Sequence, residues 1–447
     1  MTNALARRNA YKGILSVLVA AACVVGCLSI YDEATCTSSV EATADSSPRP
    51  EIAQAAQAFI DSIGVNAHLN YYDRTYGNFA LVKNDLSAIG IRHIRDGVHL
   101  QSDDYNNLLY GRWIELGKMG VRFDAVLDPR SHLGPLTPAL LKHVEQLSGN
   151  FIESFEGPNE LDIASMPNWP DVDREYQQSI FSSVQSLDGP GRVQVIGPSL
   201  AFVRNGRAFH GAIGGFDEAN LHSYPGGKMP SAIYPEQMDL AKQVFGAKPI
   251  VMTESGYHNA LRDFTDQPGI SEQVAAKYIP RLFLENFSHG IVRTYLYEFF
   301  DEAPNPDLDD NQLHWGLVRA DGTAKPAFQA VKNLIDELNS SGAPAPPLAL
   351  SWSLSESSPA IHHVLLKKAN GEFDLVLWQE VPSYNTWMRH DVDNPPVHTT
   401  LVLGQQARHV VLFEPALEAA PIATYQKVSK VPVAIPDHPL VVEIGPE

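Results

Sequence analysis

Asn78-Phe79-Ala80-Leu81-Val82-Lys83-Asn84-Asp85-Leu86-Ser87-Ala88-Ile89-Gly90-Ile91-Arg92-His93-Ile94-Arg95 is the stretch that decides the fold. Phe79, Val82, Leu86 and Ile89 recur at helical spacing, and Gly90 supplies the residue that ends such a helix. Ile91–Arg95 then reads as a strand. The same unit repeats outward in both directions. Apolar runs of strand character fall at Ile63–Ala67, Ile91–Arg95, Val121–Leu127, Phe151–Phe155, Val193–Ile196, Glu218–His222, Pro249–Met252 and Val292–Tyr297. Ser271–His289 reads as a helix stopped at Gly290, and Thr323–Asn339 as the closing helix. About eight strands at intervals of roughly thirty residues make the repeat of a (β/α)8 barrel. A doubly wound open sheet is the rival, but the chain has no GxGxxG, P-loop or GxSxG signature.

The composition changes at Ser340-Ser341-Gly342-Ala343-Pro344-Ala345-Pro346-Pro347, a linker or tight domain junction. Beyond it His363–Lys368, Asn370-Gly371 and Phe373–Trp378 give a hairpin signal. Leu401–Leu403, Val410–Phe413, Ala423–Val428 and Leu440–Ile444 add strands, and about one hundred residues of this kind predict a β-sandwich. At the other end, Arg7, Arg8 and Lys12 precede an almost wholly apolar run from Ile14 to Ile30, which reads as an export signal. Val24-Val25-Gly26-Cys27 resembles the lipobox of bacterial lipoproteins, which implies lipidation of Cys27 and attachment to a membrane. An ordinary cleaved signal and an uncleaved anchor are the other two readings, the last weakened because a span needs ~20 apolar residues. All three put the body outside the cytoplasm, in the cell envelope, the periplasm or secreted. A stretch rich in Ser, Ala, Thr and Pro from Thr37 to Pro50 fits a flexible tether. The predicted organisation is α/β: 1–30 signal or lipoprotein segment, 31–51 tether, 52–342 (β/α)8 TIM barrel, and 343–447 all-β sandwich.

Composition excludes several functions. Lys+Arg 33 against Asp+Glu 52 gives a net charge of −19, which repels phosphate backbones and argues against a nucleic-acid partner. The three cysteines, Cys23, Cys27 and Cys36, all precede the body, so it holds no disulfide scaffold, thiolate metal site or cysteine nucleophile. No HxH or HExxH pattern occurs, so neither a catalytic metal nor a cofactor is expected. The acidic stretch Asp301, Glu302, Asp307, Asp309, Asp310 fails the EF-hand spacing, with Gln312 where glycine should be, and reads as a solvated loop.

Residues just after barrel strands line the mouth where active sites sit. Those positions carry Asn66 and His68, Arg95 and Asp96, Asp128, then Glu156, Asn159 and Glu160, then His222 and Tyr224, Glu254, Glu298 and Asp301. Glu160 and Glu254 follow strand runs in settings that suggest tight turns, Glu156-Gly157-Pro158-Asn159-Glu160 and Thr253-Glu254-Ser255-Gly256, after strands four and seven, which face each other across the ring. Opposed carboxylates are what cleavage of a glycosidic bond needs: one protonates the leaving oxygen, the other attacks or stabilises the anomeric carbon. The residues also admit blander roles. Arg95 suits an ordinary barrel ion pair, His222 and His68 a satisfied core, and Tyr224, Tyr257 and Trp315 packing.

At these residues the chain resembles the clan A retaining glycoside hydrolases, near families 39, 30 and 79. The resemblance rests on Asn159-Glu160 after strand four, Glu254 after strand seven, Arg95 at strand two, His222-x-Tyr224 at strand six, and the closing segment Gly316-Leu317-Val318 … Asp321-Gly322-Thr323-Ala324-Lys325-Pro326-Ala327-Phe328. It implies a hydrolase of β-glycosidic bonds in a poly- or oligosaccharide, with Glu160 as acid/base and Glu254 as nucleophile. It further implies Asn159 at the sugar 2-hydroxyl, Arg95 holding Glu254 ionised, Tyr224 or His222 orienting the nucleophile or a hydroxyl, and His68 among the substrate-binding residues. The clan usually places Trp at the end of strand eight as a sugar platform; here Tyr297 or Phe299 stands in. Leu161 replaces the proline common after the Asn-Glu pair. A non-catalytic carbohydrate-binding protein on a barrel scaffold, and a transglycosylase with the same residues, are the alternatives.

Overall fold

The structure is a computed structural model that describes residues 47–187, 193–211, 213–265, 267–342 and 346–447. The export segment, Cys27, the tether up to residue 46 and part of the 340–347 junction lie outside the described residues.

Eight strands form the barrel: β3 (Ile63–Asn66), β4 (His93–Gly97), β5 (Arg122–Val126), β6 (Ile152–Glu156), β7 (Gln194–Ile196), β8 (Ala219–His222), β9 (Ile250–Ser255) and β10 (Ile291–Leu296). They are parallel in the order β7-β6-β5-β4-β3-β10-β9-β8. The Ile196–Glu218 bridge, with Gly197 N–H donating to Glu218 O at 2.9 Å, closes β7 onto β8. Every residue of β3 and β9 is buried, as expected of parallel strands covered on both faces. The deciding stretch folds as its pattern dictates. Asn78 caps the helix Phe79–Ile89 by accepting from Leu81 N–H, and Gly90 ends it at φ 82°. Ser271 caps Glu272–Ser288 in the same way through Val274 N–H. The closing helix is Pro326–Leu338, shorter than Thr323–Asn339, because Thr323 is held in a turn by Asp321 Oδ1.

The second sheet begins before the barrel. β1 (Arg49–Ile52) and β2 (Gln54–Ala55) pair with β11 (Ala349–Leu354) and β12 (Ile361–Lys367). This corrects the expected boundary at 51/52: residues 49–51 are strand rather than tether. β1 is an exposed edge strand held by backbone pairing and by Trp352 Nε1–H on Glu51, so its side chains carry no apolar pattern. The sheet continues through β13 (Phe373–Gln379), β16 (Val397–Phe413), β17 (Pro421–Ile435) and β18 (Leu440–Pro446), while β14 (Tyr384–Asn385) and β15 (His390–Asp391) form a small separate ribbon.

Leu401–Leu403 and Val410–Phe413, expected as two strands, lie in the single β16. An irregularity between Val402 and Ala407 lets its first half pair with β11 and its second half with β18. One continuous sheet thereby folds over itself, enclosing Leu354, Leu375, Leu401, Val433 and Val442. β13 is buried at every residue. Leu375 and Leu377 join that core, and Val376 and Trp378 join the barrel core. Arg281, from the helix Glu272–Ser288, donates to Glu380 Oε2 at 2.9 and 2.7 Å with both side chains buried, and Lys277 pairs with Asp437 at 2.9 Å. Barrel and sandwich therefore share one dry seam.

Candidate active site

Register brings the site together before any side chain acts. His222 and Glu254 are lateral neighbours on β8 and β9, and Arg95 on β4 lies between Asn66 on β3 and Asp124 on β5. Glu254 is the last residue but one of β9, rather than a residue beyond it. Glu160 follows β6 through a turn in which Glu160 N–H donates to Ser199 O and Ser199 N–H to Pro158 O, both 3.0 Å. Its backbone sits in the left-handed region, φ 50° and ψ 47°, unusual for a side chain of its kind.

Arg95 is the hub. Its Nε and Nη2 donate to the two oxygens of Glu156 at 2.6 and 2.8 Å, a bidentate pair. Nη1 donates to Glu254 Oε1 at 2.7 Å and Asn66 Oδ1 at 2.9 Å, and Nη2 also reaches Asn159 Oδ1 at 2.6 Å. The other oxygen of Glu254 accepts from Tyr224 Oη at 2.7 Å. Burial pushes Glu254 up, but His222, Arg95 and the Tyr224 hydrogen bond together hold it below the ordinary glutamate range. Glu254 is thus an ionised carboxylate in a dry setting.

His222 joins the two acids. Its Nδ1 lies 2.9 Å from Glu160 Oε1 and 3.6 Å from Glu254 Oε2, and its Nε2 lies 3.0 Å from Thr253 Oγ1. Asn220 Nδ2 donates to Glu156 and Gly197 O, which leaves Asn220 Oδ1 to accept from the Thr253 hydroxyl at 2.7 Å. Thr253 can then accept from His222, so Nε2 carries a hydrogen and Nδ1 faces Glu160. His222 Nδ1 and Glu160 Oε1 are thus placed to share a hydrogen bond. Burial opposes charging His222, yet the negative charge of Glu254 and the contact with Glu160 raise it above an ordinary histidine.

One donor atom each from Glu160, His222 and Glu254 lies within 4.8 Å of the others. Those residue types could hold a cation, but Arg95 and Tyr224 already donate to both oxygens of Glu254.

The remaining sequence candidates divide. Asn159 joins the hub through Oδ1, which also accepts from Ser199 Oγ at 3.2 Å. Tyr297 is partly exposed and turns its ring toward Trp315 and His68, at 6.0 and 5.8 Å, while Trp315 packs edge-on to Tyr224 at 5.1 Å. Phe299 is fully buried and is no platform. His68 stacks on Tyr71 at 4.6 Å and lies 3.4 Å from both Tyr297 Oη and Glu298, so it belongs to a flanking cluster beside the acid pair. Glu298 is buried. That burial and the charge of Glu302 push it well above the carboxylate range, and it accepts from Tyr76 Oη at 3.0 Å. Asp96 and Asp301 are buried and committed to other partners. Asp96 accepts from Leu69 and Gly97 N–H, and Asp301 pairs with buried Lys325 at 2.8 Å, so it is not part of a solvated loop.

Sequence reasoning missed the supports. Thr253 and Asn220 are polar residues inside apolar strand runs, which was the available signal. Arg130, which clamps Asp128 at 2.8 and 2.6 Å and donates to Asn159 O, gave none, because only the fold puts it beside the Asn159 turn.

No family model matches the chain, and no curated protein matches it. Solved structures do. A family 39 glycoside hydrolase from Bacteroides cellulosilyticus is 14% identical with a TM-score of 0.57, over 88% of this chain and 82% of that one. A monomeric β-xylosidase from Caulobacter crescentus gives 14% and 0.55, over 89% and 98%. A GH39 enzyme from Xanthomonas axonopodis gives 14% and 0.57, over 88% and 96%. At such identities the likeness shows the fold: a (β/α)8 barrel carrying a β-sandwich, the architecture this chain adopts nearly end to end.

Proposed function

We propose that the protein is a retaining glycosidase acting on β-glycosidic bonds of a poly- or oligosaccharide, with Glu160 as acid/base and Glu254 as nucleophile. The observation that carries this reading is the approach of the two carboxyl groups. One oxygen of each acid lies within 4.8 Å of the other, which supports the closer pair of a retaining site, with carboxyl groups about 5–5.5 Å apart, over the about 6.5–9.5 Å of an inverting one. The resemblance in strand order and the fold likeness point the same way.

In the first step Glu160 gives its proton to the glycosidic oxygen while Glu254 attacks the anomeric carbon. The C–O bond to the leaving group breaks as an ester forms to Glu254. That step removes the negative charge of Glu254, and with it the attraction that favours a proton on His222. Glu160, now a carboxylate, takes a proton from water, which attacks the ester and frees Glu254. Asn159 commits Oδ1 to Arg95 and Ser199. Its amide hydrogens are then the group directed to a sugar hydroxyl, a bond that strengthens as the oxocarbenium-like transition state forms. Tyr297 supplies the aromatic wall.

The test is mass spectrometry of the body, residues 47–447, after incubation with a panel of activated 2-fluoro glycosides. A stable adduct on Glu254, absent in Glu254→Gln, is the expected result. No adduct across the panel, together with no turnover of good leaving groups by Glu160→Ala, would favour a carbohydrate-binding protein instead.

A further inference from the structure

Trp387, in the turn between β14 and β15, is 92% exposed, the most exposed large apolar side chain among the described residues. Met388 beside it is 66% exposed and Phe264 is 72% exposed. Single exposed apolar residues need no explanation, but these belong to one spot. Arg389 lies over the Phe264 ring at 4.2 Å and donates from Nη1 to Asp263 O at 2.8 Å, which ties the turn to the loop after β9. Asp391 accepts from Ser271 Oγ at 2.8 Å. On the other side a Cβ placed on Gly227 would come within 3.2 Å of Thr386 Cγ2, so the turn also abuts the loop after β8. Those two loops leave the strands that carry His222 and Glu254. The β14–β15 ribbon, from the chain beyond the barrel, therefore sits on the rim of the barrel mouth.

The turn is also fixed. Asn385 Oδ1 accepts from Trp387 N–H at 3.1 Å and Met388 N–H at 2.8 Å, and Arg389 N–H donates to Asn385 O at 2.7 Å. Below it, Tyr278 Oη accepts from Ser383 N–H at 2.7 Å and from Tyr384 N–H at 3.2 Å, both inside the seam. An indole carried on a fixed turn gives up only its own side-chain rotations when something stacks on it. The occupant follows from size and charge. A few apolar side chains fall far short of the ~800 Å² per partner that a stable protein interface buries. They match one sugar ring, whose C–H face is apolar and whose edge carries hydroxyls. The net charge of −19 favours a neutral sugar over an anionic one.

Resting on the glycosidase reading, we propose that Trp387, on the turn whose Arg389 packs over Phe264, is a distal platform for a further unit of a neutral β-linked oligosaccharide whose scissile bond lies at Glu160 and Glu254. The substrate class is accordingly a chain longer than a disaccharide, and the sandwich is a substrate-binding part of the enzyme.

The test measures calorimetric affinity of Glu254→Gln protein for β-1,4-linked xylo-, gluco- and manno-oligosaccharides of two to six units. Affinity should rise with length in at least one series. Adding Trp387→Ala should lower hexasaccharide affinity about tenfold, the scale of one stacked apolar ring face, with a progressively smaller loss as the chain shortens. Trp387→Phe should restore most of it. The proposal fails if no series gains affinity with length, or if Trp387→Ala binds the hexasaccharide as its parent does. It also fails if Trp387→Ala turns a sedimenting dimer into a monomer, which would make the patch a contact between copies. Binding that grows with length but no 2-fluoro adduct would overturn the glycosidase reading and leave the platform standing; an adduct without length dependence would do the reverse.

Discussion

Glu254 keeps a negative charge where little of it meets solvent, and its neighbours supply what water would. Two donors reach its oxygens, and the guanidinium of Arg95 and the imidazole of His222 face it. A carboxylate whose pKa is depressed is active above that pKa and loses activity as pH falls through it. The acid limb of kcat/KM on an aryl glycoside should therefore lie below the ordinary glutamate value. Arg95→Gln removes a cation and leaves burial to act, so the limb should move to higher pH. A limb that stays in place in Arg95→Gln would assign it to another group. At this scale the sequence was informative where chemistry and position coincide. Glu160, Glu254 and Arg95 are charged residues at the ends of apolar runs, and a barrel turns those ends into one rim. Thr253, Asn220 and Arg130 were not legible, because a hydrogen-bond donor becomes significant only when its acceptor is known. Phe299 was legible only as an aromatic: whether it faces in or out depends on the path of the chain just after β10.

Elements set the aim of these residues, and the turn after β6 is the most exacting of them. A Cβ on Gly157 would stand 3.0 Å from the Pro198 backbone and collide with the side chain of Gln177. Gln177 is itself committed, donating to Gly215 O at 2.8 Å. Gly157→Ala must then shift the segment that carries Asn159 and Glu160. Overpacking of this kind costs about 1–3 kcal/mol, and a misplacement near 1 Å can cost ~100-fold in rate. The expected outcome is a modest drop in Tm with a fall in kcat of tenfold or more, measured on a soluble aryl glycoside. A kcat like the wild type's would show that the turn yields without moving Glu160. The barrel elements could be read from sequence because helix spacing, a terminal glycine and an apolar run agree with one another in unit after unit. β16 could not. Its exposed Gly404-Gln405-Gln406 has the look of a turn, yet the strand passes straight through by leaving those residues out of the ladder. β1 was hidden for the opposite reason, being paired through its backbone while its side chains remain in solvent.

The body, residues 47–447, is expected to unfold as one cooperative unit because strands from before and after the barrel share one sheet. β1 and β2 enter the second sheet before the barrel begins, and β12, β13 and β18 complete that sheet after the barrel ends. Cutting the chain at the 340–347 junction would leave β1 and β2 unpaired. It would also strip the helix Glu272–Ser288 of the surface that covers Arg281. That guanidinium is wholly buried, donating to Glu380, Ser383 and the Asp437 and Val381 carbonyls, all of them beyond the junction. A charge of this kind is costly once its partners go: breaking a buried pair destabilises by about 3–5 kcal/mol. A barrel-only fragment, residues 56–342, is therefore expected not to fold on its own. In the body, residues 47–447, calorimetry should record a single transition, and Arg281→Ala should lower its Tm without splitting it. Two separate transitions, or a folded fragment with native circular dichroism, would mean that the seam is a contact between independent domains. The position of the Trp387 turn beside the loops after β8 and β9 would then be a matter of docking rather than of folding.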